Sequence, residues 1–288
     1  MRRLLAPFIA VVLLAAVLPA QQKTDPALPS EDTVNSFMQQ TFGYDSSVTW
    51  KVASIRPSEA PGLAEVVVVV GSGQGQQVTT FYVTQDGKHA LVGDMIPFGA
   101  KPYEPARAAL EKGVNGVAKG PASSKVMIVE FSDLQCPHCK EAQPIIDKLL
   151  AEEPNARFVL QQYPLPNHNW AAKGAAYADC IGRADPAAFW KFVQGVFDEQ
   201  NDITESNADE KFTDLADKAG VKGSDMATCA AKPATKSRVD ASVALGGAVG
   251  VNSTPTFYVN GRRIANISGM PYEVLKELVE YAEKEPGR

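Results

Sequence analysis

The sequence predicts an α/β domain with a helical insertion, preceded by a small α+β domain. Three observations carry that expectation. Val126–Phe131 is an apolar strand-like run that leads through Cys136-Pro137-His138-Cys139 straight into an amphipathic helix and then a second strand. A long Ala-rich helical block, about 168–249, follows and gives way to a hairpin around Asn260-Gly261 and a closing helix. Ahead of all this, four strand-like runs separated by turn residues read as an antiparallel meander.

The first residues read as a targeting segment. Arg2 and Arg3 precede an apolar run from Leu4 to Leu18, and Pro19-Ala20-Gln21 ends it, the pattern of a signal peptide over 1–20. The run is short for a membrane span. Leu18 departs from the small-residue preference before a cut, so an uncleaved membrane anchor stays open. Export places the chain in a periplasmic or otherwise extracytoplasmic compartment, where disulfides persist. Residues 21–30 are polar and Pro-containing, as in a linker. Apolar residues at 45%, charged residues at 21% and a net charge of −5 describe a globular chain. With no Lys/Arg block, nucleic acid is not an expected partner.

The small domain is expected over 31–102. Ser30 is an N-cap candidate, with Glu31 and Asp32 in the first turn of a helix through about Phe42. The strands are expected at Val48–Ile55, Leu63–Gly71, Val78–Val83 and His89–Met95, with Asp86-Gly87 as a turn. The five valines Val66–Val70 suit a strand buried on both faces, or an interface strand. Residues 103–118 read as an Ala-rich linker helix and linker, with the Gly/Ser-containing linker stretch running on to Lys125.

The α/β domain is expected over 119–288. Pro137–Glu152 is a helix with Ile145, Ile146, Leu149 and Leu150 on its apolar face, and Arg157–Gln162 a second strand. Asp185-Pro186 starts a helix with Phe189, Val193, Val196 and Phe197 on one side, while Gly220 and Ser224 mark a stop and a start. Thr256–Val259 and Arg263–Ile267 form the hairpin, and a helix from about Pro271 to Glu283 closes the chain.

The chemistry sits at Cys136 and Cys139. A cysteine opening a helix faces unpaired N–H groups and the positive end of the helix dipole, which stabilise its thiolate. Pro137 is tolerated because a first-turn N–H has no intrahelical partner, and His138 adds a donor or a positive charge. A stabilised Cys136 thiolate favours the reduced form and makes the disulfide an oxidant, with Cys139 as the resolving thiol. Half of a zinc site is the competing reading, but Cys180 and Cys229 are isolated, the three His show no metal spacing, and no metal is expected. Haem attachment needs His after the second cysteine, where Lys140 stands. Asp133 reads as a loop residue, and His89 and His168 as structural or solvated side chains.

GPASSKVMIVEFSDLQCPHC and GVNSTPTFYVNG together resemble the two ends of the DsbA branch of the thioredoxin superfamily, over about 119–285. The resemblance implies a thioredoxin fold, with Pro255 in a cis bond against the redox pair and Thr254 offering its backbone to substrate. It implies that Glu130 is a buried acid relaying protons to Cys139; a solvent-facing edge carboxylate is the alternative. It also implies a second, structural disulfide between Cys180 and Cys229, against two buried free thiols. No cofactor beyond the Cys136–Cys139 disulfide is implied. The expected activity is the introduction of disulfides into exported proteins, with protein thiols as substrates and a membrane quinone-linked partner for reoxidation. FYVTQDGKHALVGDMIPFG, residues 81–99, resembles the dimerisation domain of the DsbC/DsbG isomerases, the alternative being an unrelated α+β domain. A homodimer through the N-terminal domain, acting as isomerase or reductase, is therefore a rival expectation. A redox-inactive substrate-holding chaperone is another.

Overall fold

The computed structural model describes residues 28–284 except 73–74, 94, 96–97 and 265–266. The expected signal peptide and residues 21–27 of the linker lie outside the described residues, as do parts of the segments 81–99 and 263–267. The chain divides into two compact units, Met1–Met95 and Ile96–Arg288.

In the first unit a helix, α1 (Glu31–Phe42), precedes the strands β1 (Thr49–Pro57), β2 (Leu63–Ser72), β3 (Gly75–Thr84) and β4 (Ala90–Val92). The helix starts where expected: Ser30 Oγ accepts the Thr33 N–H at 3.1 Å, and Glu31 and Asp32 occupy the first turn. The strands form an antiparallel sheet in sequential order. Val34 and Met38 of α1 pack with Val66, Val68 and Phe81 in one small core. The valine run is therefore not buried on both faces. Val66 and Val68 lose all contact with solvent while Val67 and Val69 stay half-buried, because only one face of the sheet lies in this core. The last strand is shorter than its sequence run and forms an exposed edge, with Leu91 and Val92 open to solvent.

The second unit comprises α2 (Glu104–Gly113), β5 (Val117–Lys119), β6 (Met127–Ser132), α3 (Pro137–Glu152) and β7 (Arg157–Gln162). It continues with α4 (Ala171–Ala184), α5 (Pro186–Asp198), α6 (Ala208–Ala219), α7 (Gly223–Ala230) and α8 (Pro233–Ala248). The strands β8 (Thr256–Val259) and β9 (Arg262–Ile264) and the helix α9 (Tyr272–Lys284) complete it. The sheet order is β5-β7-β6-β8-β9, with β6 and β7 parallel and the other pairs antiparallel. This is the mixed α/β arrangement expected of a thioredoxin-like sheet, and α4 to α8 form the helical insertion between β7 and β8.

The stretch expected as linker helix and linker belongs to this unit. Leu110 of α2 is fully buried with Val129, Phe131 and Tyr258, and β5 pairs along β7 as an edge strand. The single buried Leu of a short Ala-rich helix and a three-residue strand leave too little periodicity to reveal this in the sequence.

Every residue of β6 is buried. Alternation sends Met127, Val129 and Phe131 into the core with Leu110, and Ile128 into the opposite core beneath α3 and the inserted helices. Glu130 and Ser132 share the parity of Ile128, so Glu130 faces inward. The inserted helices start and stop on local signals. Asp185 Oδ1 accepts the Ala187 and Ala188 N–H groups at the head of α5, and Gly220 takes a left-handed conformation (φ 105°) that ends α6.

Candidate active site

Cys136 is the N-cap residue of α3, with Pro137 in the first turn. Both cysteines of the motif are free thiols; Cys136 keeps 4% of its surface and Cys139 none. The segment that faces them precedes β8. Tyr258 Oη donates to the Val249 carbonyl at 2.6 Å and Tyr163 Oη to the Val251 carbonyl at 3.1 Å, fixing the approach to the cis Thr254–Pro255 bond. The Cys136 thiol donates to the Thr254 carbonyl at 3.4 Å. Thr254, 118 residues further along the chain, is thus brought to the sulfur of the Cys136–Cys139 pair.

The two thiols are driven in opposite directions. The Cys139 thiol, hydrogen-bonded to Cys136, brings Cys136 down to about 6, with help from Thr254 and the backbone N–H groups of Cys139 and His138 and against the effect of burial. Burial pushes Cys139 well above the ordinary thiol range, and the charges of Cys136 and Glu130 add to it. The lowered thiol is thus the one at the helix start and the raised thiol the one buried a turn further on. The His138 imidazole turns to Glu141, with 3.0 Å between Nδ1 and Oε2, and that contact raises its pKa. The charge of Cys136 raises it further, while the His138 backbone N–H helps lower Cys136.

Glu130 is fully buried, and neither carboxylate oxygen has a hydrogen-bond partner. Burial pushes it up to about 8; Ser132 and Gln143 act the other way, and the charge of Cys136 adds to the rise. A group with that value near Cys139 accepts or returns a proton close to neutral pH.

Three residues join this site that sequence reasoning did not select. Asp133 is a loop residue, as expected, but it is buried, and its carboxylate accepts from the Gln135 and Leu165 N–H groups (both 2.7 Å) and lies 2.8 Å from His168 Nδ1. His168, read as structural or solvated, is thereby a partner of the active-site loop. Gln200, in a short 3₁₀ turn after α5, donates to the carbonyls of Leu134 (2.8 Å) and Cys136 (3.1 Å). His89 lies elsewhere, in the first unit, with an exposed side chain.

Cys180 and Cys229 form a disulfide within the helical insertion, joining α4 to α7. Arg183 donates to both sulfurs, at 3.5 and 3.2 Å. Among the described residues no group of three His, Cys, Asp or Glu is placed to hold a metal ion, and no helix is long and apolar enough to cross a membrane.

Comparison with known proteins agrees with this architecture. Residues 112–280 match the family model described as thioredoxin, and residues 25–101 match the model of the disulfide bond isomerase protein N-terminal domain. The chain is 27% identical over 168 residues to disulfide bond formation protein D of Bacillus subtilis, covering 56% of this chain and 74% of that protein. The crystal structure of oxidised BdbD from Bacillus subtilis superposes with a TM-score of 0.53 at 25% identity, covering 59% of this chain and 93% of that one. A Na(+)/H(+) antiporter NhaA 1 of Salinispora arenicola is 29% identical over 164 residues, half of this chain but 22% of the antiporter. The chain thus spans about a fifth of the antiporters that it matches.

Proposed function

The chain belongs to the thioredoxin family, whose model spans more than half of it, and we propose that it is a Dsb-type thiol–disulfide oxidoreductase working as a dithiol oxidase. The observation that carries this reading is the split between the two thiols, Cys136 brought down to about 6 and Cys139 held up by burial. In the oxidised protein a substrate thiolate attacks the Cys136 sulfur. The Cys136–Cys139 bond breaks, and Cys139 leaves with the electron pair and takes a proton from Glu130. A second substrate thiolate then attacks the substrate sulfur of the mixed disulfide, and Cys136 leaves as its stabilised thiolate. The substrate has lost two electrons to the Cys136/Cys139 pair; its two thiol protons went to solvent when the thiolates formed, and one proton from solvent restores Glu130. Thr254 and Pro255 flank the sulfur where an extended substrate would lie. A membrane quinone-linked partner would remove the electrons, and exported or unfolded proteins would supply the thiols. A periplasmic or other extracytoplasmic site of action is consistent with the Cys180–Cys229 disulfide and with the signal-like start.

The stabilised thiolate favours an oxidant. A pKa of about 6 in place of 9.0 stabilises the reduced form at pH 7 about tenfold, or about 30 mV for a two-electron couple. The test is single-turnover: oxidised protein with a reduced two-cysteine peptide should give one peptide disulfide per Cys136/Cys139 pair. A Cys136→Ser variant should give none. Peptide oxidation that survives in Cys136→Ser ends the reading.

A second reading, isomerase or reductase in a homodimer, is favoured by the match of residues 25–101 to the isomerase N-terminal domain. The exposed edge strand β4 supports self-association through that unit. Repair of a scrambled disulfide protein under reducing conditions, exceeding net oxidation, would put this reading first.

A further inference from the structure

Asp133 touches the reacting pair through its backbone and, through its side chain, the segment that leads from β7 to the helical insertion. Its N–H donates to Cys139 Sγ at 3.4 Å, and its carbonyl accepts the Cys136 N–H at 3.0 Å. Its carboxylate is fully buried and accepts the Leu165 N–H and the His168 ring, both in the segment between β7 and α4. The position of the N–H that reaches the resolving sulfur is therefore set by bonds on the other side of the same residue.

That N–H matters because Cys139 has little else to favour its thiolate. Burial, Cys136 and Glu130 all oppose charge there, and the Asp133 N–H works in the opposite direction. His168, with its side chain 20% exposed, sits 2.8 Å from the Asp133 carboxylate and is raised in pKa by the contact.

We infer that Asp133 and His168 are a positioning pair for Cys139: His168 holds the Asp133 carboxylate in place, and so keeps the Asp133 N–H on the Cys139 sulfur as charge develops there. The inference rests on the thiol–disulfide exchange proposed above. In the oxidising direction substrate sulfur bonds to Cys136, the Cys136–Cys139 bond breaks and Cys139 departs as a thiolate. In the reverse direction Cys139 gives its proton to Glu130, attacks Cys136 Sγ and releases the substrate thiolate. Both directions pass through one transition state with partial negative charge on Cys139, so the pair affects both rates alike.

The experiment uses the full chain, oxidised, as wild type, His168→Leu and His168→Gln. The first readout is the rate at which reduced glutathione forms the mixed disulfide. The second is the alkylation rate of Cys136 in the reduced protein at pH 8, where Cys136 is ionised and Cys139 does not depart. His168→Leu removes the bond, and should slow the first rate about tenfold, as for a rise of about two units in the Cys139 pKa at a leaving-group sensitivity of about one half. His168→Gln keeps a donor, and should fall about threefold, as for a rise of about one unit. The second rate should stay within about twofold of wild type in both. Should His168→Leu not fold, His168→Gln carries the test alone. Variants at the wild-type rate overturn the inference, and so does a parallel fall in both rates, which marks general damage to the site. A wild-type protein that forms no mixed disulfide overturns the proposed function instead.

Discussion

Glu130 is a buried acid without hydrogen-bond partners, so replacing it with an isosteric neutral group should stabilise the protein in a pH-dependent way. Its folded-state pKa is about 8 against an ordinary 4.5. The folded protein therefore binds this proton more tightly than the unfolded chain does. Stability from that preference is fully present below pH 4.5 and is lost as pH rises through 8. At pH 7 the loss spans most of two and a half pH units at about 1.36 kcal/mol each, or about 3 kcal/mol. It levels off near about 5 kcal/mol once the carboxyl ionises in the folded state as well. Glu130→Gln removes the ionisation while keeping the shape and leaving a neutral polar group in the same place. Urea unfolding, taking the transition of the second unit, should show the variant about 3 kcal/mol more stable than wild type at pH 7 and equal to it at pH 4. A variant no more stable at pH 7, or one whose advantage is the same at both pH values, would show that Glu130 does not hold a proton in the folded state. The same substitution removes the group that exchanges a proton with Cys139, so a more stable protein should be a slower one.

In the reduced protein near pH 6, iodoacetamide should modify Cys136 well before Cys139, and following the rate against pH should give a midpoint near 6; a midpoint in the ordinary thiol range contradicts the assignment. Replacing both Cys180 and Cys229 with Ala should lower unfolding stability by up to about 4 kcal/mol, from the loop-closure entropy of a 49-residue separation, while leaving peptide oxidation intact. Loss of oxidation in that variant, with the fold retained, would give this disulfide a role in exchange. Light scattering should find a dimer for the mature protein and a monomer for residues 96–288; a monomer in both cases removes the N-terminal unit as a dimerisation module.

Much of the second unit was legible because its signals are local. A strand running into Cys-Pro-His-Cys, an Asp185-Pro186 helix start and an Asn260-Gly261 turn each declare themselves within a few residues. The inward face of Glu130 was left open by the sequence, since β6 is apolar on both sides of it and alternation had nothing polar to count against. What the sequence hid is contact between distant segments. Asp133 and His168 stand 35 residues apart, and Gln200 reaches the Cys136 carbonyl across 64. A lone His in a Pro-rich stretch and a Gln after a helix carry no pattern that marks them as partners of a redox loop. The valine run misled for the opposite reason. Five apolar residues in a row read as two buried faces, yet burial follows the neighbouring elements, and α1 covers one side.

The central claim is that Cys136 is the sulfur through which substrate passes, and trapping tests it most directly. A Cys139→Ala variant cannot resolve a mixed disulfide from within the site, so it should accumulate one when mixed with a disulfide-bonded peptide. Mass spectrometry of its proteolytic fragments should place the peptide on Cys136, with Cys180 and Cys229 still joined to each other. A peptide found on Cys180 or Cys229, or no adduct at all, would contradict the account.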